Sequence, residues 1–65
     1  MKNNLKVQRA IKNLTQADVA KIIGVSRQTI NAMEKGKYVP STVLALKLSK
    51  LFEKSVNEIF ELENE

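Results

Sequence analysis

The chain has 65 residues, with 11 Lys and Arg against 7 Asp and Glu, a formal net charge of +4. That length predicts one small domain, close to the lower limit at which a hydrophobic core folds unaided. Leu, Ile, Val and Phe contribute 20 residues, too many for a disordered chain. Without Cys there is no disulfide, and without Cys or His there is no ordinary zinc or haem site. No cofactor or metal is expected. No acid–base pair or nucleophile constellation supports an enzyme. No apolar run approaches the length of a membrane span, and no signal-peptide pattern is present, so a cytoplasmic protein is the expectation.

Charge is unevenly distributed. Residues 1–40 hold eight basic side chains against Asp18 and Glu34, whereas residues 41–65 hold three lysines against five glutamates. This asymmetry points to an anionic partner met by the first two-thirds of the chain.

The first periodic segment runs from about Asn4 to Asn13. Val7, Ile11 and Leu14 fall at i, i+4 and i+7 and predict its buried stripe, with Leu5 and Ala10 beside it. Lys6, Gln8 and Lys12 are then expected on the wet side. Thr15-Gln16-Ala17-Asp18 is a helix start, with Thr15 as cap and Asp18 in the first turn. This second helix, about Gln16 to Ile23, carries an expected stripe of Val19, Ile22 and Ile23 and ends at Gly24. Ser26 caps a third helix, about Arg27 to Lys35, with Val25 and Ile30 at hydrophobic-staple spacing, Met33 inward, and Gly36 at its end. After the loop at Lys37-Tyr38-Val39-Pro40, Ser41 caps a fourth helix with Val43, Leu44, Leu48, Leu51 and Phe52 expected inward. Ser55-Val56-Asn57-Glu58 is a capping box that opens a short fifth helix with Val56, Ile59 and Phe60 on its apolar side. Phe60 and Leu62 then alternate with Glu61 and Glu63, a short strand-like pattern that could pair with Asn3-Asn4-Leu5 or with a second copy.

The expected architecture is therefore an all-α, compact five-helix single domain over 1–65. Its core covers 5–60, a helix-turn-helix covers about 16–35, and a tail covers 61–65. A tight Gly-containing turn between two short amphipathic helices holds the second helix proud of the body. A helix so presented fits the DNA major groove, about 12 Å wide. Its polar face is Arg27, Gln28, Thr29 and Asn31. Arg can fork onto guanine, Gln or Asn onto adenine, and the Thr methyl can meet thymine. That face carries no Asp or Glu, as suits a surface lying against phosphates.

Thr15-Gln16-Ala17-Asp18-Val19-Ala20, Ile23-Gly24-Val25-Ser26-Arg27-Gln28-Thr29-Ile30-Asn31 and Glu34-Lys35-Gly36-Lys37-Tyr38-Val39-Pro40-Ser41 together resemble the phage lambda repressor/Cro-type helix-turn-helix family. The likeness covers about Leu5 to Phe60. It implies a lambda-repressor-like fold and sequence-specific binding of double-stranded DNA, usually in transcriptional repression. By the resemblance, Arg27, Gln28 and Thr29 read bases, with Asn31 near a base or the backbone. Gln16 contacts a phosphate and the base of the recognition helix. Ser26, Lys35, Lys37 and Tyr38 position the backbone. Arg9 and Glu34 form a structural ion pair. Gln8 departs from the family pattern, which usually has a large apolar residue there.

One such module reads few base pairs, so a homodimer on a two-fold symmetric operator is expected, with half-sites about 34–36 Å apart. Val56, Phe60 and Leu62 are the candidate dimer contacts, with Leu46 on the edge of the fourth helix as another. No small-molecule effector pocket is expected, so control would rest on occupancy, protein level or a separate partner. Two other roles fit the same motif: a DNA-binding antitoxin that also neutralises a partner toxin, and a protein-interaction adaptor.

Overall fold

A computed structural model describes residues 1–63; Asn64 and Glu65, the end of the expected tail, lie outside the described residues. The elements in order are β1 (Lys2–Asn3), α1 (Leu5–Lys12), α2 (Gln16–Ile23), α3 (Arg27–Glu34), α4 (Thr42–Phe52), α5 (Val56–Ile59) and β2 (Phe60–Glu61). No helix among these residues is long and apolar enough to cross a membrane.

Capping explains most helix starts. Thr15, Ser26, Ser41 and Ser55 each accept the backbone N–H three residues on, satisfying a donor that has no partner inside the helix. At α2 and α5 the arrangement is reciprocal. Asp18 Oδ2 accepts the Thr15 N–H at 2.9 Å, and Glu58 Oε1 accepts the Ser55 N–H at 3.1 Å. Helix α1 has no side-chain cap; instead Asn3 Oδ1 accepts the Leu5 N–H at 3.1 Å. At the far end of α2, Gly24 sits at φ +81°, where a side chain would be strained, and the Lys47 ammonium donates to the Ile23 carbonyl at 3.3 Å.

Ten residues form one core: Leu5, Val19, Ala20, Ile23, Ile30, Met33, Leu48, Phe52, Ile59 and Phe60. Leu48 is completely buried between the helices. The two ends of the described chain are joined by an antiparallel ladder that pairs Lys2 with Glu61 and Asn3 with Phe60. Asn4 lengthens it, donating its N–H to Ile59 and its side-chain amide to Glu58, each at 3.0 Å. Of the two expected pairings for the carboxyl-terminal strand, the one with the amino-terminal segment is therefore made. It involves Lys2 and Asn3 rather than Leu5, which is already in α1 and the core.

Several expected faces are corrected. In α1, Val7 and Ile11 are exposed and Gln8 is buried, the reverse of the periodic reading. The inward face is set by Leu5, Gln8 and Arg9, because Arg9 reaches Glu34 beneath it. Ile22 is exposed, since Val19, Ala20 and Ile23 already fill the interior side of α2. Val43 is exposed at the first turn of α4, where Leu44 and Ala45 pack instead. Phe60 belongs to β2 rather than to the last helix. Helix α3 stops at Glu34, with Lys35 as its cap.

Truncating Leu48 to Ala should cost about 2–5 kcal/mol, as for other fully enclosed leucines, and urea unfolding would measure it. A second expectation concerns acid. The Thr15 backbone N–H holds the Asp18 carboxyl below its usual value, and the Ser55 N–H does the same for Glu58. Depressed folded-state values make this contribution complete above the unfolded carboxyl values of about 4, and it is lost as pH falls through the lower folded ones. Thermal melts between neutral and strongly acidic pH should therefore drop less steeply for an Asp18→Asn/Glu58→Gln double variant than for the wild-type chain.

Candidate nucleic-acid interface

Helices α2 and α3 make the most extensive helix–helix contact in the molecule. The Gly24 and Val25 N–H groups both donate to the Ala20 carbonyl at 2.9 Å, so the chain reverses within three residues. Val25 packs on the core and Ser26 starts α3 at once. Ile30 and Met33 anchor the inner side of α3, leaving its polar side outward.

On that outer side Arg27 and Gln28 are exposed, and Thr29 and Asn31 are half-buried. Arg27, Gln28, Asn31, Ala32, Lys35 and Lys37 line an open groove of about 210 Å³ with no acidic side chain along it. The structure thus brings together three of the expected base readers and two of the expected backbone lysines. Ala32 is the lining residue that residue chemistry missed. Helical spacing alone locates it, four positions after Gln28 on the same face. Thr29 is partly committed elsewhere: its hydroxyl lies 2.9 Å from the Ser26 Oγ, which also accepts the Thr29 N–H at 3.1 Å. Tyr38 stands exposed in the following loop, away from the groove lining.

Behind this face lies a polar network. Arg9 grips Glu34 with two parallel N–H donors, Nε to Oε2 and a terminal nitrogen to Oε1, and donates a third N–H to the Leu14 carbonyl at 3.1 Å. The two side chains are only 15% and 8% exposed, so the expected structural pair is present and largely shielded. Gln16 Nε2 donates to Glu34 Oε1 at 3.0 Å, and Asn31 Nδ2 donates to Gln16 Oε1 at 3.3 Å. Burial pushes the Glu34 carboxyl up, but the Arg9 and Gln16 hydrogen bonds and the Arg9 charge outweigh it and hold the group below its usual value. Asn3 adds a contact that sequence reasoning did not find: its side-chain amide donates at 2.8 Å to the Met33 carbonyl at the end of α3, which also accepts the Gly36 N–H at 2.9 Å.

Comparisons with known proteins agree with this geometry. A helix-turn-helix family model matches residues 5–59. An uncharacterised HTH-type transcriptional regulator of Methanocaldococcus jannaschii is 57% identical over 65 residues, covering the whole chain and 98% of that protein. A similar uncharacterised regulator of Bacillus subtilis is 46% identical over the same span, with 98% of its length covered. Among solved structures, the restriction-modification controller protein C.AhdI of Aeromonas hydrophila superposes with a TM-score of 0.76 at 30% identity, covering 86% of this chain and 85% of that one.

Removing one partner of the shielded pair leaves an uncompensated charge. Arg9→Ala should therefore lower stability by about 3 kcal/mol in denaturant titration. Lys12→Ala, which breaks the exposed bridge to Glu53, should barely move the midpoint.

Proposed function

The chain belongs to the helix-turn-helix family of the phage lambda repressor/Cro type, and on that footing we propose that it is a sequence-specific regulator of transcription, acting as a repressor on a two-fold symmetric DNA operator. One observation carries the reading: α3 holds Arg27, Gln28 and Asn31 outward over a groove whose charged liners are all basic. Arg27 and Gln28 are the base readers at its start. Asn31 reads one turn further along, and Thr29 offers its methyl. Ser26 sits at the cap, Gln16 beside α3, and Lys35, Lys37 and Tyr38 beyond its end, where a phosphate backbone would pass. The work is done in the cytoplasm, by blocking access to a promoter.

The active unit in this reading is a homodimer. An apolar groove of about 650 Å³ is bordered by Met1, Pro40, Leu46, Val56, Phe60 and Leu62. Leu46 and Leu62 are 57% and 63% exposed, a costly arrangement for two large aliphatic side chains beside one hollow. Phe60 is already largely buried in its own chain, so Leu46, Val56 and Leu62 offer the free surface. A second copy related by a two-fold axis would cover the groove with its own. The likeness to a restriction-modification controller protein supports a regulatory role.

Selection from random duplex DNA should return a two-fold symmetric consensus, and no enrichment would sink the proposal. Within that consensus, Arg27→Ala should cost about 1–3 kcal/mol and relax one base pair. Lys37→Ala should instead weaken all sequences alike and lower the salt slope by about one. Leu46→Glu should convert the dimer to monomer in sedimentation; a wild-type chain that sediments as monomer both with and without operator would exclude the dimer.

A further inference from the structure

Glu34 receives three N–H groups, two from Arg9 and one from Gln16. An ionised carboxylate only accepts, so it dictates which end of the Gln16 amide faces it: the nitrogen. Gln16 Oε1, which can only accept, is thereby turned toward the residue about one turn earlier on α3, where it meets the Asn31 nitrogen. The polarity imposed at Glu34 is handed on through two amides. With either amide reversed, an acceptor would face an acceptor or a donor would face a donor.

The result defines what remains free. Gln16 keeps one N–H, the complement of a phosphate oxygen, which only accepts. Asn31 keeps Oδ1 and one N–H, an acceptor and a donor to match the N6 donor and N7 acceptor on the major-groove edge of adenine. Arg27 and Gln28, exposed at the start of the helix, have no such tether among the described residues.

We infer that Glu34 is a positioning residue for DNA readout, its carboxylate orienting Gln16 and, through Gln16, orienting Asn31 to read adenine. The inference rests on the proposed role of α3 and adds a residue that touches no DNA. Glu34, Gln16 and Asn31 are each half-buried at the edge of the reading face, so the ion pair with Arg9 has a second use beyond joining α1 to α3.

The test is site selection from random duplex DNA with the wild-type chain and with Asn31→Ala, Gln16→Ala and Glu34→Gln, each held below its melting midpoint. The wild-type consensus should contain one adenine column per half-site that Asn31→Ala flattens. That column should carry a preference of about 5- to 150-fold, the range expected of one bidentate contact. Gln16→Ala and Glu34→Gln should flatten the same column and spare the one that depends on Arg27. Combining Gln16→Ala with Asn31→Ala should flatten it no further. A merely structural Glu34 would give a lower melting midpoint and a uniform loss of affinity with the adenine column intact, and that outcome overturns the inference. Should Glu34→Gln fail to fold, Gln16→Ala decides alone: an intact adenine column overturns it. A wild-type chain that enriches no sequence removes the DNA reading itself. A consensus with no Asn31-dependent adenine removes only the role given to Glu34.

Discussion

The grip of Arg9 on Glu34 is the constraint around which the first three helices are arranged. One guanidinium reaches α3 through two N–H groups and the turn after α1 through a third, at the Leu14 carbonyl. Because the fork is planar and rigid, three pieces of backbone are fixed relative to one another by a single side chain. A shielded ion pair of this kind adds little net stability, since its desolvation offsets its attraction, but any packing that separates the partners is strongly disfavoured. What it contributes is choice among arrangements. The pull also explains why Gln8, next to Arg9, lies inside while the aliphatic Val7 and Ile11 lie outside.

A second tie acts at the same end of α3. Asn3 hydrogen-bonds the Met33 carbonyl while its own backbone pairs with Phe60, so the strand pair and the end of α3 share one residue. The reading helix is thus held near its start by a cap, along its length by Ile30 and Met33, and at its end by a side chain from the far side of the fold. Rigid support of this sort lets a short helix present side chains in fixed positions, because an isolated helix of eight residues would not persist in water.

Much of this was legible in the sequence, and the reasons differ by feature. Helix starts at Thr15, Ser26, Ser41 and Ser55 were readable because a cap is a local event, settled by a hydroxyl and an N–H three residues away. The pairing of Arg9 with Glu34 came from resemblance rather than from spacing, since 25 residues separate them. Faces were harder. Over the two turns of α1, Val7–Ile11–Leu14 and Leu5–Gln8–Arg9 both make a stripe, and hydrophobicity alone prefers the wrong one. The ion pair decides between them, and it is a tertiary contact. The same holds for Ile22, which loses the interior to Val19 and Ile23. At the candidate site, the chemistry of Arg27, Gln28 and Asn31 was apparent from residue type. The Glu34–Gln16–Asn31 chain was not, because it depends on how α2 and α3 pack.

The pairing of β1 with β2 has a kinetic consequence. Contacts between α2 and α3 span about a dozen residues, whereas Lys2 and Glu61 are nearly a whole chain apart. Loop-closure entropy grows with the length of chain enclosed, so this ladder is cheapest to close after the helices have shortened the path between its strands. Closure of the ladder is thereby favoured late in folding. Leu62 and Phe60 border the apolar groove only while the strands are joined. The surface on which a second copy would dock is therefore completed late in folding, and a chain whose strands are still apart does not present it whole.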